Sequence, residues 1–357
     1  MEDIGLNIHG LVRGAIESPP RWLAKSVNKH LERFITPDSM LADPDFTVRV
    51  ESSRSNLDTV GVVPGPQHRL GCVVRDGQRG VFVLNRDRPD TGIFPAEPVI
   101  IECAGGKQSG RRTYGLILVA IDLALRRKSG MLFHGACLSR NGRTALVVGA
   151  RGSCKTMLVL TLLRRGWDYL ADDKMLLADG VAHLFEDILG VRDHHLLNIP
   201  WLRAKLGSVA GTGPSAIRNA VARAGASLLP KRYITPWERK WDERHAVRVR
   251  EIFPEVNTME SLRPDILVHL RPSDRFASRP LGREDARRVC LAIQRMMFQE
   301  MTPLEDLLVS FCGVGCPALA PIVAENLAGF DFYELDVAVR SDPEEIGREF
   351  ERCVAQA

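Results

Sequence analysis

The stretch RTALVVGARGSCKTMLVLTLLRRG, residues 143–166, constrains this chain more than any other. An apolar, β-branched run enters a glycine-containing loop, and an apolar run at helical spacing leaves it. Gly149 and Gly152 let the backbone turn so that successive N–H groups point inward, and the following helix adds its positive end. Lys155 stands where it would reach the β- and γ-phosphates of a nucleotide, and Thr156 where its hydroxyl would hold Mg²⁺. The nucleotide contacts expected from this loop are Gly149, Arg151, Gly152, Ser153, Cys154, Lys155 and Thr156. The residue before the lysine is Cys154, where the common phosphate-loop pattern has glycine. A residue with a Cβ sits there only if its φ is negative or if strain is accepted. Taken alone, the same stretch also describes an ordinary strand–turn–helix with a surface lysine.

The neighbouring segments favour the phosphate-loop reading. WDYLADD, residues 167–173, reads as a strand ending in Asp172 and Asp173. It is expected beside the loop strand, with its carboxyl end facing the same phosphates. Adjacent side chains of a strand point to opposite faces, so one acid can face a metal and the other an incoming hydroxyl. A helix cap or a solvated turn is the alternative for this pair. His134 lies in LFHGACLSR, on the strand preceding the loop strand. It is placed to reach the phosphates or to orient an acid; a satisfied core histidine is the alternative.

Together these residues resemble the HPr kinase/phosphorylase family, and more closely its shorter HPr-kinase-like relatives; the fold is related to phosphoenolpyruvate carboxykinase. The matching run is LFHGACLSRNGRTALVVGARGSCKTMLVLTLLRRGWDYLADDKMLL, residues 132–177, with weaker similarity over roughly 113–357. The resemblance implies an α/β (α+β) fold with a P-loop kinase core of the HPr kinase type; residues 1–110 carry no such resemblance, and their own strand patterns read as a β-rich N-terminal region. The resemblance also implies an ATP- and Mg²⁺-dependent kinase acting on a hydroxyl, commonly a serine of a peptide or protein, and an assembly of several copies. By the same resemblance Asp172 matches the base that takes the acceptor proton, Asp173 the acid that helps place the metal, and His134 the active-site histidine. Lys155 and Thr156 match the phosphate and Mg²⁺ contacts. The chain departs from the HPr enzymes in lacking a glutamate that leads into an Arg-Gly-Leu-Gly run. FEDILGVRD, residues 185–193, is a partial echo, with Glu186 as a second metal ligand.

The remaining sequence divides into a β-rich region over 1–110 and a catalytic region over 111–357. Residues 1–45 read as short helical pieces ended by Pro37, followed by strands that include a hairpin around Asp76–Gly77. GGKQSGRR reads as a linker, and TYGLILVAIDLALRRKSG as a helix. Further hairpins are expected at Asn141–Gly142 and Asp179–Gly180. The basic segment 205–250 is expected to close over the acceptor, with Arg232, Arg239, Arg244 and Arg248 as candidates for charge stabilisation or as parts of a solvated surface. The closing DPEEIGREFERCVAQA reads as a helix with Asp342 as N-cap and Pro343 in its first turn.

Composition excludes several other classes. A net charge of +4 over 357 residues is mild, and the basic segment lacks interleaved aromatics, which argues against nucleic acid. Eight scattered cysteines read as reduced thiols; Cys312 and Cys316 form the one close pair and read as core residues. The N-terminus has no apolar signal core, and GLILVAIDLALRR carries Asp122 and is too short to span a bilayer. The expectation is a cytoplasmic protein with no membrane contact. A catalytically weak nucleotide-binding module, and a kinase of a small-molecule hydroxyl, are the competing readings.

Overall fold

The computed structural model describes residues 2–37, 43–50, 58–64, 69–85, 88–103, 109–150, 152–206, 244–297, 302–313, 318–338 and 341–357. Arg151, Arg232, Arg239, Cys316 and most of the segment 205–250 lie outside them. The described chain is a mixed α/β protein with several sheets. Strands β1 (Ile4–Ile8), β2 (Val12–Ile16), β3 (Ile35–Thr36), β4 (Phe46–Val50), β5 (Asp58–Pro64), β6 (Arg69–Arg75), β7 (Gln78–Asn85), β8 (Arg88–Phe94) and β9 (Val99–Cys103) form one nine-stranded sheet. Its order is β3-β1-β2-β4-β9-β8-β7-β6-β5. Helices α1 (Arg21–Leu31) and α2 (Ser109–Arg126) share its core: Leu23, Val27 and Leu31 of α1 meet Ile117, Ala120 and Ile121 of α2, with Leu6, Ile8, Phe46 and Ile101 from the sheet. The four-residue spacing of the α1 leucines and valine puts them on one helix face.

Two local expectations are corrected. Residues 4–16 form a β-hairpin rather than a helical piece, because Leu6, Ile8, Val12 and Ile16 alternate inward and the His9–Gly10 turn takes φ values of 53° and 72°. The end of the expected linker is helical: α2 begins at Ser109.

A six-stranded sheet follows the order β13-β11-β12-β19-β21-β20, built from β11 (Ala136–Arg140), β12 (Arg143–Gly149), β13 (Asp168–Asp172), β19 (Ile266–Ser273), β20 (Ala277–Pro280) and β21 (Asp331–Ala338). β10 (Met131–Phe133), β14 (Met175–Ala178), β15 (Val181–Leu184) and β18 (Ser261–Leu262) make a four-stranded sheet, and β16 (Ile188–Arg192) pairs with β17 (Arg244–Arg248). Helix α3 (Lys155–Arg164) leaves the end of β12, and every residue from Met157 to Leu163 is buried, so it is a core helix without a polar stripe. The later helices are α4 (Asp193–Asn198), α5 (Pro200–Leu206), α6 (Val249–Ile252), α7 (Arg283–Met297), α8 (Thr302–Ser310), α9 (Leu319–Asn326) and α10 (Pro343–Gln356). α10 starts as expected: the Asp342 carboxylate accepts the Glu344 N–H at 2.7 Å. Its Glu351 holds the far end of α3, accepting from Arg165 at 2.5 Å, Arg140 at 2.6 Å and Trp167 Nε1 at 3.0 Å. Among the described residues no helix is long and apolar enough to cross a membrane.

β13 does not lie beside the loop strand as expected. β11 is inserted between β13 and β12 and is antiparallel to both. Two antiparallel steps leave β13 running the same way as β12, so Asp172 still emerges at the loop end of the sheet. Two connections cross there from one sheet to another. β10 and β11 separate at His134–Gly135, and β13 and β14 separate at Asp173–Lys174. The crossings are tied to each other: the Asp173 N–H donates to Gly135 O at 2.9 Å, and the Gly135 N–H to Asp173 O at 3.3 Å. A Cβ on Gly135 would lie 2.9 Å from Val147 O, so this close approach to the loop strand requires glycine.

Candidate functional site

The loop between β12 and α3 combines close packing with left-handed backbone. Gly152 has φ +87° and Cys154 φ +66°. The expectation for Cys154 resolves toward strain: a residue with a Cβ occupies the left-handed region immediately before the lysine. At Gly149 a Cβ would sit 2.3 Å from Ser153 Oγ, so only glycine leaves space for the loop to fold back on its strand. Ser153 is 1% exposed, and its hydroxyl has no hydrogen-bond partner among the described residues. Burial pushes the half-buried Cys154 thiol up, away from the thiolate form, so slow alkylation at neutral pH is expected. Cys154→Gly is expected to stabilise the fold by about 1 kcal/mol, the left-handed cost less the backbone entropy of glycine. Urea denaturation measures it, and a lower midpoint would show that the thiol's packing outweighs its backbone strain.

The side chains at the head of α3 join into one polar cluster. Lys155 Nζ lies 3.1 Å from His134 Nε2, and His134 Nδ1 lies 3.2 Å from Asp173 Oδ1. One tautomer satisfies both contacts: Nδ1–H donates to Asp173, and Nε2 accepts from the lysine ammonium. Thr156 Oγ1 is 3.4 Å from Asp172 Oδ1. Asp172, the last residue of β13, is 3% exposed and contacts Thr156, whereas Asp173, just past the strand, is partly open and contacts His134. Asp173 carries φ +106°, an unfavourable conformation for a residue with a side chain; such strain persists only where the surroundings over-determine it. His134 is set by Gln294 of α7, which accepts its backbone N–H at 2.7 Å and donates to Leu132 O at 2.6 Å. That buried amide acts as a peptide group across the sheet crossing. It lies about 160 residues from His134 and carried no signal in the sequence.

Burial holds the His134 imidazole down at about 4, with Lys155 adding to the effect and Asp173 opposing it. Burial also pushes Lys155 below the ordinary lysine range, while Asp173 and Asp172 favour its ammonium form. An unfolded histidine titrates near 6.5, so between 6.5 and about 4 only the unfolded chain takes up this proton. Stability contributed at this site therefore falls as the pH drops through that window. His134→Gln is expected to flatten that part of the stability–pH profile, followed by urea denaturation at several pH values; an unchanged slope would assign the dependence to other groups.

The structure thus brings together His134, Lys155, Thr156, Asp172 and Asp173. Glu186, just after β15, is engaged by the chain's own groups. Lys174 Nζ donates to Oε2 at 3.1 Å, the Tyr114 hydroxyl donates to Oε1, and His30 Nδ1 is 3.4 Å from Oε1. Burial alone would raise this carboxyl, but Lys174 and the contacts from His30 and Tyr114 hold it down at about 2. Arg248 pairs with Glu32 at 2.6 Å and Asp187 at 3.8 Å, and Arg244 lies on β17 in register with Arg192. Among the described residues no group of three or more His, Cys, Asp or Glu is arranged to hold a metal ion. No family model matches this chain, and no curated protein does.

Proposed function

We propose that the chain is an ATP-dependent kinase that transfers the γ-phosphoryl group to a hydroxyl, most simply a serine of a peptide or protein. The observation that carries this reading is the continuous contact from Lys155 through His134 to Asp173, beside Thr156 and Asp172, at the N-terminus of one buried helix. A P-loop kinase core of the HPr kinase type would have these parts in this order. Three features support a bound polyphosphate: the buried Ser153 hydroxyl without a partner among the described residues, the fold-back at Gly149, and an ammonium group at the head of α3. The Thr156 hydroxyl and the aspartate carboxylates are hard oxygen donors of the kind that take Mg²⁺ together with water and phosphate oxygens.

In this reading the acceptor oxygen forms a bond to the γ-phosphorus, the bond to the bridging oxygen breaks, ADP leaves, and the acceptor proton passes to a carboxylate. Mg²⁺ would neutralise the charge shared by the β- and γ-phosphates. Lys155 would hold the phosphates, and His134 would keep both Lys155 and Asp173 in place. Asp172 and Asp173 would divide metal placement and proton abstraction between them. The site is expected to act mostly by positioning and charge neutralisation, with proton abstraction by one carboxylate.

Nucleotide binding gives a direct test. Calorimetry with Mg²⁺ is expected to show ATP and ADP binding at least about tenfold more tightly than AMP, because AMP lacks the β-phosphate that Lys155 would reach. Equal affinity for the three would argue against a phosphate-binding loop. The left-handed Cys154 favours one second reading, a nucleotide-binding module with little turnover. That reading gains if the wild-type protein binds ATP silently and Cys154→Gly creates transfer.

A further inference from the structure

Beyond the cluster at the loop, the polar contacts continue into the first core. Lys174 Nζ lies 3.6 Å from Asp173 Oδ2, on the carboxylate oxygen opposite the one that faces His134. The same ammonium donates to Glu186 Oε2 at 3.1 Å. Glu186 is 6% exposed, and its other oxygen accepts from the Tyr114 hydroxyl beside His30. The His30 and Tyr114 rings stack with centroids 4.5 Å apart. These two residues come from α1 and α2, the helices that share a core with the nine-stranded sheet.

We propose that Lys174 is a positioning residue for Asp173, anchored through Glu186 by His30 and Tyr114, so that the N-terminal layer sets the geometry of the phosphate-loop cluster. The inference rests on the kinase reading only for its effect on turnover. Its physical basis is the unfavourable backbone of Asp173, φ +106°, whose carboxylate is gripped from two sides. A lysine stem has many rotamers, and each partner its ammonium loses widens the range it samples. With Glu186 buried and gripped from the other side, Lys174 stops 3.6 Å from Asp173 instead of closing on it. Asp173 Oδ1 then remains available to the imidazole N–H of His134. Without the anchor, Lys174 closes on Asp173 and competes with His134 for that carboxylate.

Two variants of the full chain test this. Glu186→Gln weakens the hold on Lys174, and Tyr114→Phe removes one hydroxyl while keeping the ring that stacks on His30. The first readout is the imidazole ¹⁵N spectrum of histidine-labelled protein, with the His134 signals identified by their loss in His134→Gln. The wild type is expected to show the Nδ1-protonated tautomer at His134, and both variants a mixture of tautomers. In ATP turnover kcat is expected to fall roughly ten- to a hundredfold, with KM for ATP within about twofold, because misplacement of a reacting group acts on the chemical step. Unchanged His134 shifts in the variants would overturn the inference, as would kcat and KM worsening together with those shifts unchanged. If Glu186→Gln does not fold, Tyr114→Phe carries the same readout and the same two outcomes. The spectrum needs no turnover, so a wild-type protein without kinase activity would remove the kinase reading and leave this inference to be decided by the tautomer.

Discussion

Asp172→Asn is expected to reduce phosphoryl transfer by roughly 10²–10⁴-fold, the range lost when a positioned acid or base is removed. The substitution keeps the shape of a buried side chain and removes its charge, so ATP binding should persist. Its dependence on Mg²⁺ then separates two roles. If Asp172 takes the acceptor proton, the variant needs no more Mg²⁺ than the wild type. If Asp172, which lies 3.4 Å from Thr156 Oγ1, helps to place the metal instead, the variant needs more. Asp173→Asn is the partner experiment, because Asp173 is the acid that touches His134. A wild-type rate in Asp172→Asn would remove both roles.

Lys155→Met is the second large effect. It removes the ammonium at the head of α3, where burial disfavours it and two carboxylates sustain it. A loss of roughly 10²–10³-fold in kcat/KM is expected, comparable to removing one preorganised donor from a transition state. ATP affinity should fall as well, because the same group would hold the phosphates in the ground state. His134 loses its Nε2 partner and the positive charge that disfavours its protonation, so its pKa should rise from about 4. Wild-type ATP affinity in this variant would mean that Lys155 does not hold the phosphates and serves only the contact with His134.

Much of the fold was legible wherever the signal is local. The turns at Asp76–Gly77, Asn141–Gly142 and Asp179–Gly180 all adopt two consecutive positive φ values, from 49° to 78°. The turn at His9–Gly10 has the same backbone but opens with histidine, a weak turn signal, so the sequence of its hairpin reads as part of a helical stretch. Strand neighbours were less legible. The short Asn141–Gly142 turn dictates that β11 pairs with β12, but nothing local shows that β13 joins the outer side of β11. The site divides in the same way. His134, the loop and the acid pair fall within a run of about forty residues and keep a recognisable order. Gln294 and Tyr114, which set that site from behind, lie on distant helices and reach it only through folding. For Cys154, sequence posed a choice between negative φ and strain, and only the backbone could decide it.

Transfer of a phosphoryl group to a hydroxyl can be followed by incubating the full chain with γ-labelled ATP, Mg²⁺ and candidate peptide, protein and small-molecule acceptors, and then analysing the acceptors by mass spectrometry. Label is expected on an acceptor hydroxyl, most simply a serine, and is expected to be lost in Asp172→Asn. Nucleotide bound normally, with no label on any acceptor, would contradict the kinase reading.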